Sequence, residues 1–218
     1  MNHETWPIGV FASIDAGLGV DLQVAHELGV RTVHLHTPRP TSRSPEQVHE
    51  FSRRIAELNI RVTCVFCGFE CENYADIPTV KQSVGLVPSS TRRDRIRELR
   101  EISDFARLLG VDAVGAHLGF VPHDASHPEY SEIVGATREV CDHCAANRQT
   151  LHLETGQEPA EVLLRFIADV DRDNLFINIV PANMILYDIG EPLPALEQLA
   201  GQVRSVHCKD ACWSSEPG

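Results

Sequence analysis

Three short strings in the second half of the chain carry most of its potential chemistry: Leu-His-Leu-Glu154-Thr-Gly, Asn178-Ile-Val180-Pro-Ala-Asn183 and Val-His207-Cys-Lys209-Asp210. Each follows an apolar run of strand length and puts polar groups where that run gives way to a loop. A carboxylate at one strand end and an imidazole two strands later suit a divalent metal ion, because carboxylate oxygen and neutral imidazole nitrogen are its ordinary donors. Glu154 is also a candidate general base, able to take a proton from a substrate carbon within reach. Its plainer role is a rim carboxylate paired with a nearby cation. His207 is a candidate ligand as neutral imidazole.

The elements that must position these groups alternate between apolar strand and amphipathic helix. Strands are predicted over residues 8–12, 31–36, 61–66, 113–117, 150–154, 175–180 and 203–207, and helices over 22–28, 45–58, 92–109, 130–147, 159–170 and 193–199. Ser44 and Pro45 are the N-cap and first-turn pair of the second helix, and Gly29 and Gly110 close the first and third. Residues 68–90 are the longest irregular stretch, and a loop of that length inside a compact domain is expected to serve function, such as covering a site. Strict strand–helix alternation implies a parallel sheet covered by helices, and no Gly-x-Gly-x-x-Gly follows the first strand. The expected fold is therefore an α/β, (β/α) TIM-type barrel in which seven strands are present and the eighth is missing. Strands one and seven would then be unpaired edges, and completion by another chain as a homo-oligomer is an open alternative. His34, His36 and His152 alternate onto inward strand faces. His36, nearest the rim, is a substrate-contact candidate, and the two deeper histidines are expected to be satisfied core groups.

A chain of 218 residues with 43% hydrophobic and 23% charged residues can bury a sizeable core. Its net charge of −12 argues against a nucleic-acid partner, which requires a basic face. Arg92, Arg93, Arg95, Arg97 and Arg100 are interleaved with acids and read as the solvated side of a helix. No apolar run is long enough to span a bilayer and no signal peptide opens the chain, so a cytoplasmic location is expected. The pairs Cys64/Cys67 and Cys141/Cys144 have zinc-like spacing. The first pair lies on a strand, pointing to opposite faces, and the second on the apolar side of a helix, so buried reduced thiols are expected.

The chain resembles the xylose-isomerase-like TIM barrel superfamily, the sugar-phosphate isomerase/epimerase group, over nearly its whole length. The residues that carry the likeness are Phe69-Glu and Asn73-Tyr-Ala-Asp-Ile77, Gly115-Ala-His-Leu-Gly-Phe-Val-Pro122, Leu153-Glu-Thr-Gly-Gln-Glu158, Pro181-Ala-Asn-Met-Ile-Leu-Tyr187 and Val206-His-Cys-Lys-Asp-Ala211. The resemblance implies a single domain over residues 1–218, truncated at its C-terminus. It implies one divalent metal, Mn, Mg, Co or Zn, at the barrel mouth, held by a Glu on strand five, an Asp on strand six, a His on strand seven and a Glu on strand eight. Glu154 and His207 match the first and third; the Asp position falls on Val180, and the last Glu lies beyond Gly218. Metal binding is therefore expected to be weakened or lost. The implied reaction is metal-assisted proton transfer through an enediolate on a sugar or polyol, with Glu154 as acid/base group, impaired here by Val180. Alternatives on the same scaffold are an inosose-type dehydratase, another lyase or hydrolase, or a binding domain without metal or catalysis. His117 matches a histidine that contacts substrate or metal, a structural histidine being the plain alternative. Asn183 matches a substrate-binding position, where capping a turn is the plain alternative. Lys209 and Asp210 reach sugar hydroxyls or pair with each other.

Overall fold

In the computed structural model, which describes residues 6–214, eight parallel strands form one sheet in the order β2-β1-β3-β4-β5-β6-β7-β8. They are β1 Gly9–Ser13, β2 Val20–Asp21, β3 Thr32–His36, β4 Arg61–Phe66, β5 Ala113–Ala116, β6 Thr150–Glu154, β7 Leu175–Ile179 and β8 Val203–Val206. The helices are α1 Leu22–Glu27, α2 Pro45–Glu57, α3 Ile77–Ser83, α4 Arg92–Leu108, α5 Pro128–Ala146, α6 Ala160–Val170, α7 Pro181–Leu186 and α8 Pro192–Leu199. Local chemistry explains the boundaries: the Ser44 side chain accepts from Gln47 N–H with Pro45 in the first turn of α2, and Asp76 does the same for Thr79 N–H ahead of α3.

The expectation of seven strands with the eighth missing is corrected. The additional strand is β2, two residues long, and it pairs with β1 through Ala12↔Val20 and Ser13↔Asp21. Hydrophobic periodicity cannot register two residues. What creates β2 is the turn before it: Gly19 has φ +130°, and a Cβ there would lie 2.7 Å from the Phe11 carbonyl carbon, so only glycine lets the chain fold back this closely. β1 is therefore not an edge; β2 and β8 stand at the two ends of the order. Two further differences concern helices. The stretch 68–90 contains α3, and α7 begins directly after β7 where a turn was expected. Residues 215–218, read from sequence as turn, lie outside the described residues.

The sheet separates two environments by strand alternation. One face carries Leu35, Val65, Val114, Leu151, Leu153, Ile177 and Ile179, all buried, in one apolar cluster with Leu99, Ile102 and Phe105 of α4, Ile133 and Val140 of α5, and Phe166 of α6. Burying side chains of this size contributes about 1.5–3 kcal/mol each before entropy is counted, which makes this outer shell the main source of stability. The other face carries rings and polar groups: Phe11 meets His34, Phe66 and His207 at centroid distances of 5.4, 5.7 and 4.8 Å. His152 lies deep on this face, bridging the Thr150 and Ser205 hydroxyls at 3.0 and 3.1 Å, and burial pushes its pKa down to about 4, so it is a neutral, satisfied core group.

The arginine run on α4 divides in a way its sequence does not show. Arg93, Arg97 and Arg100 are exposed, but Arg92 and Arg95 are buried. Arg92 donates to the carbonyls of Leu86 (2.8 Å) and Val87 (2.6 Å), and Arg95 donates to Gly85 (2.6 Å). These guanidiniums satisfy carbonyls of the loop that precedes their own helix, so the reading of this run as a solvated face is corrected for two of its members. Cys64, Cys67, Cys141 and Cys144 are buried and unpaired with one another. Among the described residues no helix is long and apolar enough to cross a membrane.

Candidate active site

The strand ends bring together groups far apart in sequence. Glu154 is the last residue of β6, His117 follows β5, His207 follows β8, and Asn183 sits in α7. Glu154 Oε1 accepts from His117 Nε2 at 2.9 Å and from Asn183 Nδ2 at 3.1 Å. Lys209 Nζ donates to Asn183 Oδ1 at 3.0 Å, so the amide relays between the carboxylate and the ammonium. Gln157 Nε2 stands 3.4 Å from His117 Nδ1, on the far side of the imidazole. Lys209 thus reaches Asn183 rather than pairing with Asp210, whose carboxylate accepts from Ala211 N–H at 2.9 Å.

Electrostatics follow from burial and pairing. Burial alone would disfavour an ionised Glu154, but the adjacent imidazole of His117 outweighs it, together with the Asn183 amide, and the carboxyl is held below its ordinary pKa. Burial likewise opposes a charge on His117, and Glu154 overrides it, so the imidazole pKa is raised. His207 is lowered, first by burial, against the pull of Glu154 and with a push from Lys209. It is a neutral imidazole, and its Nδ1 is buried without a hydrogen-bond partner.

Above these groups opens a cavity of about 980 Å³ whose walls include Glu154, His117, His207, Asn183, Lys209 and His36. Asp210 is not among them; it is exposed. The long stretch before α4 supplies Phe69, Glu72, Tyr74 and Ile77 to the wall, and the Tyr74 ring lies 6.1 Å from that of His117. Glu72 braces this stretch by accepting from Gly85 N–H at 2.8 Å, Phe69 N–H at 3.3 Å and the Tyr74 hydroxyl at 3.3 Å. Sequence reading overlooked Gln157 and Tyr187 as site residues, although both lie inside motifs it singled out. Arg43 and Glu98 also line the cavity. They carry no motif, since one follows β3 and the other belongs to α4, and only the fold brings them together.

The residues present do not fit a resident divalent metal. Among the described residues, no three His, Cys, Asp or Glu side chains converge to hold an ion. Val180, fully buried, offers no lone pair to join Glu154 and His207, and Glu154 is already engaged by His117 and Asn183. Two protein donors fall short of the three that open metal sites supply.

The family described as xylose isomerase-like TIM barrel matches residues 22–218. Among solved structures, a xylose isomerase domain protein from Planctomyces limnophilus is 54% identical with a TM-score of 0.94, over 96% of this chain and 74% of that one. A xylose isomerase-like TIM barrel protein from Mycobacterium smegmatis, solved in complex with magnesium, has a TM-score of 0.67 at 18% identity, over 94% of this chain and 75% of that one. D-psicose 3-epimerase from Clostridium cellulolyticum H10, solved with D-tagatose, has a TM-score of 0.63 at 16% identity, over 85% and 65%. The last two share the fold. No curated protein matches the sequence.

Proposed function

Because this chain belongs to the xylose isomerase-like TIM barrel family, we propose that it binds a sugar or polyol in the cavity at the strand ends and moves a carbon-bound proton beside its carbonyl, as isomerases and epimerases do. The observation that carries this reading is the ionised Glu154 on the cavity wall, fixed by His117 at 2.9 Å and Asn183 at 3.1 Å. A base for carbon acids must be ionised, aimed and shielded from water, and these contacts with the surrounding burial supply all three. Removing the proton leaves an enediolate, whose oxygens need positive partners. Lys209, tethered to Asn183 at 3.0 Å, is a cationic group on the cavity wall that can meet that charge, while His117 stays committed to Glu154. His207, a neutral imidazole on the cavity wall, receives a substrate hydroxyl. For a shift between adjacent carbons one base suffices for the carbon-bound proton: Glu154 takes it from one carbon and returns it to the other on the same face of the enediolate, while the hydroxyl proton passes from one substrate oxygen to the neighbouring one.

The test is exchange of carbon-bound hydrogen with deuterated water, followed by NMR over a panel of ketoses, aldoses and inositols. The expected outcome is incorporation beside the carbonyl of at least one sugar, slowed about 10²–10⁴-fold in Glu154→Gln with binding retained. Exchange that is undiminished in Glu154→Gln sinks the reading. Val180, and the lack of a third metal donor among the described residues, favour one second reading, sugar binding without turnover. Saturable binding in the wild type with no exchange on any sugar would establish it instead.

A further inference from the structure

The cavity has a second polar region, on the wall built by the β3–α2 loop and α4. The Arg43 side chain is only 9% exposed; its Nε donates to the Pro38 carbonyl at 2.8 Å and its Nη2 to Glu98 Oε1 at 3.0 Å. Its Nη1 is buried and has no partner. The guanidinium is thus fixed by Pro38 and Glu98 at the edge of the cavity it lines. Glu98, 25% exposed, presents its carboxylate beside it. A fixed donor next to a fixed acceptor matches neighbouring hydroxyls, each of which can accept from one and donate to the other.

Two properties of the same cavity narrow the ligand. Its volume of about 980 Å³ is at the upper end of the roughly 300–1,000 Å³ typical of small-molecule sites, more than one sugar ring needs. Its walls carry five carboxylates, from Glu70, Glu72, Asp76, Glu98 and Glu154, against three basic side chains, Arg39, Arg43 and Lys209. Arg43 is already neutralised by Glu98, and Lys209 lies one side chain away from Glu154. A phosphate dianion would enter a field of its own sign, whereas an uncharged polyol meets no such barrier.

Resting on the function proposed above, we infer that the ligand is an uncharged carbohydrate of more than one sugar unit, whose distal hydroxyls are held by the Arg43–Glu98 pair on the cavity wall while its reactive end lies against Glu154. The experiment is calorimetric titration of the full chain with fructose, the neutral ketodisaccharide maltulose and fructose 6-phosphate at low ionic strength. It is repeated with Arg43→Lys, which keeps the charge but not the fork, and with Glu98→Gln, both verified as folded by circular dichroism. Maltulose is expected to bind about tenfold or more tighter than fructose, the value of one good hydrogen-bonded contact, and fructose 6-phosphate weakest of the three. Either variant should collapse the maltulose-to-fructose ratio toward one. Equal affinities for maltulose and fructose, tighter binding of the phosphate, or a ratio unaltered in both variants would overturn the inference while leaving sugar binding at Glu154 intact. Failure of all three sugars to bind the wild type would overturn both.

Discussion

Glu158 shows how one side chain can be governed by burial rather than by its motif. It is 6% exposed, its Oε1 accepts from Val121 N–H at 2.8 Å, and burial pushes its pKa up to about 8 despite that bond. The sign follows from proton counting. Between the ordinary carboxyl value of 4.5 and about 8 the folded protein holds a proton that the unfolded chain has released, so rising pH destabilises the fold across that window, and the loss is complete above it. Glu158→Gln keeps an acceptor for Val121 and removes the titration. The difference in unfolding free energy between variant and wild type, measured in urea, should therefore grow between pH 5 and 8 by on the order of a few kcal/mol in favour of the variant. A difference that stays flat over that range would contradict the assignment. The buried thiols obey the same physics: burial raises Cys141 to about 12 and Cys144 to about 11, which leaves them unreactive fillers of the helix interface, as expected from their place on an apolar face. At this scale the sequence singled out Glu154, His207 and Lys209 as candidates because they follow apolar runs, and His117 and Asn183 through the family resemblance. It gave no sign of Glu158 or Arg43, whose significance is a matter of what surrounds them.

Between elements, one close approach at the site is that of the β6 loop to α7. Gly156 has φ +137°, and a Cβ there would come within 2.2 Å of Asn183 Cβ and 3.1 Å of its carbonyl carbon. The Asn183 amide depends on this approach for its bonds to Glu154 at 3.1 Å and to the Thr155 carbonyl at 3.2 Å. Gly156→Ala should cost about 1–3 kcal/mol through its backbone conformation alone. It should also push α7 away, uncoupling Lys209 from Glu154. Urea unfolding would read the first effect, and a lowered rate of solvent deuterium incorporation the second; a variant with wild-type values for both would show that the contact is not needed. The strand–helix alternation was plain in the sequence because each element repeats its own apolar period. The short pieces β2, α3 and α7 were not, since two to seven residues are too few to display a period and each is stabilised by contacts from elsewhere.

For the molecule as a whole, the decisive question is whether a metal belongs to the fold. A ligand that binds only the native state raises the melting temperature, by an amount equivalent to about 2.7 kcal/mol at a hundred times its Kd. With no third donor beside Glu154 and His207 among the described residues, wild-type melting should be the same in millimolar Mn²⁺, Mg²⁺ or a chelator. Val180→Asp puts an unpaired charge at a fully buried position, which should lower the melting temperature by several degrees, and Mn²⁺ should recover it. A wild-type melting temperature that Mn²⁺ raises and a chelator reverses would disprove the first expectation. The sequence by itself determined the alternating architecture, the family and the strand-end positions of the principal polar residues, because these depend on local periodicity and short motifs. Only the tertiary structure decided the eighth strand, the burial of Arg92 and Arg95, the partners that hold Glu154 ionised and the pairing of Arg43 with Glu98 across the cavity. Those outcomes rest on desolvation and on distances between residues far apart in the chain, and neither exists until the sheet has formed.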